Sequence, residues 1–100
     1  MRYIYNTTFH LEEHIEPNWI EWMQKHYIPS VRKQNLCSDL LFTRIRIEEP
    51  HVKSYSLQLI FPTEENFLIF KEKYQQDLTQ DLLDRFNKQV LYFSTLLEEL

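Results

Sequence analysis

The chain has 100 residues, 43% hydrophobic and 26% charged, which is typical of one packed globular domain and not of a disordered or fibrous chain. It contains no glycine, and this excludes phosphate-binding loops, dinucleotide fingerprints and nucleophile elbows, because their tight turns need a residue without Cβ. A formal net charge of -4 provides no long-range attraction for nucleic acid or acidic lipid.

The sequence also restricts compartment and covalent chemistry. A single cysteine, Cys37, predicts neither an internal disulfide nor a Cys-based zinc site and suits a reducing compartment. Residues 1–11 lack the basic leader and continuous apolar run of a signal peptide. No apolar run approaches the ~20 residues that span a bilayer. We expect a soluble cytoplasmic protein, with residues 1–100 forming one domain.

The first two predicted elements are a strand and a helix. Residues 3–11 alternate in polarity and are rich in aromatic and β-branched side chains, which predicts a half-buried strand. Pro17 suits the first position of the following helix, and Pro29 is expected to end or kink that helix near Ile28. Four residues of this helix repeat at helical spacing on one face: Trp19, Trp22, Met23 and His26.

The next predicted elements form a hairpin. Residues 40–48 alternate in polarity, and residues 55–61 follow after the short polar loop 49–53, which favours antiparallel pairing. Leu41, Thr43, Ile45 and Ile47 fall on one side of the first of these strands.

A second helical region and a last strand complete the chain. Thr63 is placed to cap the helical region, whose apolar positions run to Phe86. Either one bent helix or two short helices bridge Asp77 to Thr79. Residues 90–97 form the last predicted strand. Asn35 and Asn87 precede strands, where asparagine is the next-best residue after glycine for a left-handed helix end.

The element order predicts an α+β, ferredoxin-like βαββαβ fold: a four-stranded antiparallel sheet with both helices on one face. The opposite face of the sheet is left uncovered. With Leu57, Leu59 and Phe61 facing the helices, the uncovered face is predicted to contain Ile4, Asn6, Thr8 and His10; Phe42, Arg44 and Arg46; Ser54, Ser56, Gln58 and Ile60; and Val90, Tyr92, Ser94 and Leu96.

This row mixes apolar with polar groups, which is unusual for a fully solvated face. We therefore expect a homodimer in which a second copy packs against it, with Phe42, Arg44, Arg46 and Tyr92 as dimer-face residues. The two arginines point the same way on their strand. They can clamp an anion or pair with acidic groups across the dimer, and we favour the second role.

Four stretches resemble a known family: the opening Tyr-Ile-Tyr-Asn-Thr-Thr strand, Trp19-Ile20-Glu21-Trp22-Met23 followed by His26-Tyr27-Ile28-Pro29, Tyr55-Ser56-Leu57-Gln58, and Phe93-Ser94-Thr95-Leu96-Leu97-Glu98. The chain is similar throughout to a family of short bacterial proteins catalogued as domain of unknown function 4286. It departs from the family at Asn35 and Asn87, where glycines are typical. The resemblance implies a dimeric α/β-barrel type of fold, a superfamily that includes cofactor-free monooxygenases, and it implies no activity for this chain.

The candidate ligand site lies on the first helix. Trp19, Trp22 and His26 share a helix face, where indoles beside an imidazole can form a wall for a flat ligand. Tyr5 is expected to supply a polar contact from the adjacent strand, Asn6 being the alternative on the other sheet face. The competing interpretation is that the aromatic residues are core and His26 is a structural histidine at the edge of the core.

The sequence gives little support to a metal site or to a reactive thiol. His10 and His14 are four residues apart but lie on a strand end and a loop, which do not give the one-face geometry of a helical metal pair. The carboxylates that follow His10 are interpreted as a solvated acidic turn, and Cys37 as a packing residue. We therefore expect no metal and no cofactor.

The residues discriminate among three classes of function. A non-enzymatic dimeric binding or structural module is favoured, because no acid–base or nucleophile constellation stands out. The alternative is a cofactor-independent, monooxygenase-like enzyme that acts on a small aromatic molecule near Trp22 and His26. A single-stranded RNA reader is rejected, because its central strands need aromatic platforms where this chain has Ser54, Ser56 and Gln58.

Overall fold

The computed structural model describes residues 1–47 and 49–100; Glu48, the last residue of the second predicted strand, lies outside them. In chain order the elements are β1 (Tyr3–Glu12), a 3-10 turn (Glu13–Ile15), α1 (Glu16–Trp22), a π-helical turn (Met23–Tyr27), α2 (Ile28–Lys33), β2 (Asp39–Ile45), β3 (Val52–Phe61), α3 (Glu64–Lys73), α4 (Gln75–Phe86), a second 3-10 turn (Asn87–Gln89) and β4 (Val90–Glu98). The predicted order of strands and helices is confirmed. Within the described residues, no helix is long and apolar enough to cross a membrane.

The strands form one antiparallel sheet in the order β2-β3-β1-β4. The first strand is central and hydrogen-bonds to β3 on one side and to β4 on the other. The helices cover one face of this sheet, as the ferredoxin-like prediction required. We call the other face the open face.

The core lies between the sheet and the helices. Every strand and helix contributes aromatic or aliphatic side chains to this layer. Full burial of one such side chain stabilises the fold by about 1.5–3 kcal/mol. The largest fully buried members of the core are Trp19, Phe9, Phe61, Phe70, Leu11, Met23, Leu57 and Leu59. The interpretation of the first helix face as core is thus correct for Trp19 and Met23.

The strand registers correct the predicted open face. Residues directly opposite each other on paired strands point to the same side of a sheet. Phe42 lies opposite the buried Leu57, and Tyr92 lies opposite the buried Phe9. The rows predicted for β1 and β3 are correct, but those for β2 and β4 are inverted: Phe42, Arg44, Val90, Tyr92, Ser94 and Leu96 are on the helix side.

The physical reason is that both sides of β2 carry apolar residues. Leu40 and Phe42 lie on one side and Leu41 and Ile45 on the other, so alternation alone does not decide which side is buried. The register with β3 decides it, because a strand shifted by one residue turns every side chain to the other face.

The structure decides two points about the helices. The first helix does not end at Pro29: it continues to Lys33 by way of the π-helical turn that precedes Ile28. The second helical region consists of two helices that meet at Tyr74 (φ -122°, ψ -31°), and residues 77–79 lie inside α4. Both asparagines have the positive φ that was predicted, 55° at Asn35 and 53° at Asn87. The ψ of -130° at Asn87 lies outside the left-handed helical region.

Candidate functional site: a groove between the helices

A groove of about 460 Å³ runs between the α1–α2 segment and α4. On the first side it is lined by Trp22, His26, Tyr27 and Ser30, and on the α4 side by Leu78, Asp81, Asp84 and Arg85. The groove thus contains the predicted pair of Trp22 and His26. We call it the interhelical groove.

The π-helical turn shapes the first wall of this groove. The backbone N–H of Ile28 donates to the carbonyl of Met23, five residues back, which widens the turn by one residue. Pro29 has no N–H to continue an ordinary helical ladder. One residue further on, the Ser30 hydroxyl donates to the carbonyl of His26 at 2.7 Å. Such turns occur frequently at functional sites, because the extra residue redirects neighbouring side chains.

Aromatic rings form the floor of the interhelical groove. The Trp22 ring packs edge-on against Tyr27, with centroids 5.8 Å apart, and against Phe86 on α4 at 5.5 Å. Trp22 is half-buried and His26 is exposed, so both are accessible from the groove. Burial of the phenol raises the pKa of Tyr27, with smaller contributions from the phenols of Tyr5 and Tyr92, and keeps it protonated.

The α4 wall supplies charged groups of both signs. Asp81 and Asp84 are three residues apart on the same helix face. The Gln80 amide donates to the Asp84 carboxylate at 2.8 Å, and the guanidinium of Arg85 lies 5.7 Å from the centre of the Phe86 ring. Together with the His26 imidazole and the Ser30 hydroxyl, these side chains offer both donors and acceptors to a flat polar molecule.

Two predicted ligand residues, Trp19 and Tyr5, lie elsewhere. Trp19 is 0% exposed and packs on Phe9 and Tyr55 with ring centroids 5.2 and 4.9 Å apart. Side chains three residues apart on a helix differ in direction by roughly 60°. Trp19 therefore points to the sheet, whereas Trp22 points toward Phe86 on α4. Tyr5 packs on α3, where its ring centroid lies 5.5 Å from that of Phe67. Neither Trp19 nor Tyr5 therefore lies beside Trp22 and His26 in the groove, where both were predicted to lie.

Tyr5 and Asn6 do lie on opposite faces of the sheet, as predicted. The Tyr5 hydroxyl accepts a hydrogen bond from the Gln75 amide at 2.5 Å, at the start of α4. Asn6 lies on the open face, where its side-chain oxygen accepts from the Ser56 hydroxyl at 2.8 Å. Neither side chain lines the interhelical groove.

The sequence reasoning missed the α4 residues of the groove. Asp81, Asp84 and Arg85 were passed over because they occupy the polar positions of an amphipathic helix, where charged residues are usually only solvated. The available signal was Asp77, Asp81 and Asp84, spaced four and three apart, which places three carboxylates on one helix face.

The predicted dimer-face residues are also placed differently. Phe42 stacks on Tyr55 with centroids 5.8 Å apart, and Tyr92 lies 6.4 Å from Phe9, both on the helix side of the sheet. Arg44 Nε donates to the hydroxyl of Tyr55 at 3.1 Å, and Arg46 follows the end of β2. The large apolar side chains that the open face does expose are Leu41, Leu91, Phe93 and Leu97.

The comparisons with known proteins agree with this architecture. A family model described as a domain of unknown function (DUF4286) matches residues 2–100. The chain belongs to the DUF4286 family. No curated protein sequence matches this DUF4286 chain at a significant level.

Solved structures with the same fold are distant in sequence. A dimeric ferredoxin-like protein from an uncultured marine organism superposes with a TM-score of 0.77 at 9% identity, covering 99% of the DUF4286 chain and 98% of its own. An ethyl tert-butyl ether D family protein from Bacillus halodurans gives 0.71 at 14% identity, covering 98% and 99%. A candidate antibiotic biosynthesis monooxygenase from Bacillus cereus gives 0.64 at 13%, covering 98% and 94%. Similarity at these identities establishes the fold alone.

Proposed function

We propose that residues 1–100 form one non-enzymatic, homodimeric binding module that holds a small flat molecule in the interhelical groove. The observation that carries this proposal is the accessible pairing of Trp22 with His26 on one wall of the groove. A volume of about 460 Å³ falls within the roughly 300–1,000 Å³ of small-molecule sites. Polar groups on both walls fix the orientation of such a ligand.

The dimer is proposed to form through the open face. Phe93 and Leu91 are 56% and 67% exposed on that face, which is unusual for large apolar side chains on a solvated sheet. The dimeric description of a protein with the same fold supports a second copy as the covering partner. The open face and the interhelical groove lie on opposite sides of the sheet, so one surface assembles the module while the other binds.

The single thiol supports a reducing compartment such as the cytoplasm. Burial raises the pKa of the Cys37 thiol to about 11, with Arg32 opposing that rise. A protonated, half-buried thiol is a poor partner for disulfide exchange.

The module is tested with His26→Ala and the control His14→Ala. A panel of small aromatic compounds is screened by NMR against the wild-type protein. We expect saturable shifts at Trp22 and Ser30 that are lost in His26→Ala and retained in His14→Ala, because both histidines are exposed but only His26 lines the groove. His26→Ala should leave the melting temperature nearly unchanged.

Two results would oppose the proposal. If no compound shifts the groove residues, the interhelical groove is not a site for small aromatic ligands. If His26→Ala loses stability while binding is unchanged, His26 is a structural residue.

The alternative function, a cofactor-independent monooxygenase-like enzyme, rests on His26 lying exposed in the same groove as two carboxylates. An imidazole there can act as a general base on an aromatic substrate. Substrate-dependent oxygen uptake that disappears in His26→Ala would favour the enzyme over the binding module.

A further inference from the structure

A second cleft, of about 510 Å³, lies where β2 ends and β3 begins. Arg44, Arg46 and Lys53 all line it, so three of the eleven basic residues of an acidic chain share one surface cavity. None of the described carboxylates lines the cleft. We call it the basic cleft, and it shares no residue with the interhelical groove.

The Arg44 guanidinium is held by its contacts with Tyr55. Its Nε donates to the Tyr55 hydroxyl at 3.1 Å, and that hydroxyl in turn donates to a carboxylate oxygen of Glu16 at 2.5 Å. The guanidinium also lies 5.5 Å from the centre of the Tyr55 ring. Since Tyr55 engages Nε, the two terminal nitrogens are the donors that an oxyanion meets, in the forked geometry that suits bidentate contact.

Two apolar groups complete the walls of the basic cleft. Ile47 and Val52 supply apolar surface beside the charged groups.

We propose that the basic cleft binds a small organic anion, whose carboxylate or phosphate group contacts Arg44, Arg46 and Lys53 and whose apolar part rests on Ile47 and Val52. Glu16 already balances part of the charge of Arg44, through the Tyr55 hydroxyl. Arg46 and Lys53 add positive charge beside it, and a bound oxyanion accepts charge-assisted hydrogen bonds from these cations. Anion binding in the basic cleft is separate from ligand binding in the interhelical groove.

The test uses two double variants with the same change of charge. Arg46→Gln/Lys53→Gln removes two cations from the basic cleft, and Arg32→Gln/Lys33→Gln removes an exposed pair on α2. Benzoate and inorganic phosphate are titrated separately into each protein by calorimetry. We expect one saturable site in the wild type and in the α2 variant, weakened about tenfold or more in the cleft variant. The tighter of the two probes identifies the preferred anion.

Sedimentation of the same proteins completes the test. A cleft variant that remains in the wild-type oligomeric state but loses anion binding supports the proposal. Equal affinity in all three proteins, or no saturable binding of either probe to the wild type, would overturn it. So would dissociation of the cleft variant alone, because the cations would then pair with carboxylates of a second copy.

Discussion

Trp19 and Trp22 are three residues apart on the first helix, and one lies in the core while the other reaches the surface. Trp19 is fully buried against Phe9, whereas Trp22 reaches the interhelical groove beside His26. The indole N–H of Trp19 is buried among aromatic rings with no hydrogen-bond partner among the described residues. Burying an amide-like N–H without a partner costs about 1–3 kcal/mol, which the large apolar area of this side chain offsets.

Cys37 gives a prediction at the scale of a single residue. Because burial raises the pKa of its thiol to about 11, almost all of it stays protonated at neutral pH. We expect iodoacetamide at pH 7.5 to alkylate the folded protein far more slowly than protein unfolded in guanidinium chloride, as followed by mass spectrometry. Raising the pH toward 10 should speed the folded-state reaction. Equal rates for folded and unfolded protein would show that the thiol is accessible and unperturbed.

Among the elements, the π-helical turn has the clearest sequence cause. Pro29 removes one N–H donor from the helical ladder, and the turn Met23–Tyr27 absorbs this loss without ending the helix. A proline signal therefore predicted a disruption at the correct place. The proline did not specify whether the helix would end, kink or form a wider turn, because that depends on packing against α4 and the sheet.

Helix α3 gives a prediction at the scale of an element. The backbone N–H of Asn66 donates to the Thr63 hydroxyl at 3.1 Å, which confirms Thr63 as the predicted cap. We expect Thr63→Ala to lower the free energy of unfolding by about 1 kcal/mol, because the first turn then loses a hydrogen-bond acceptor. Thr63→Ser keeps the hydroxyl and should remain close to the wild type in chemical denaturation. A loss of the same size in both variants would contradict a capping role.

At the scale of the whole molecule, the open face is suited to burial under a second copy. Four of its polar side chains are already paired within the chain, Ser56 with Asn6 at 2.8 Å and His10 with Ser54 at 2.7 Å. Covering these four side chains therefore avoids part of the usual cost of burying a polar row. The apolar residues on β2 and β4 flank this paired stripe.

The fold was largely predictable from the sequence, because hydrophobic periodicity changes clearly between strands and helices and Asn35 and Asn87 mark the turns. The candidate site was predictable only in part. The sequence predicted that Trp22 and His26 lie side by side, because residues one helical turn apart are neighbours. Tyr5, Phe42 and the α4 carboxylates depend on strand register and helix crossing, and neither is encoded in local spacing.

The central claim is that two copies pair through the open face, and Phe93→Glu tests it. A dimer of standard size buries roughly 800 Å² per partner, and an unpaired charge inside it costs several kcal/mol.

The decisive measurement is analytical ultracentrifugation at micromolar concentration, with Leu68→Glu as control, because Leu68 is similarly exposed on α3, away from the open face. We expect the wild type and Leu68→Glu to sediment at twice 12.4 kDa, and Phe93→Glu at 12.4 kDa. A wild type that sediments at 12.4 kDa, or a Phe93→Glu variant that remains dimeric, would contradict the account.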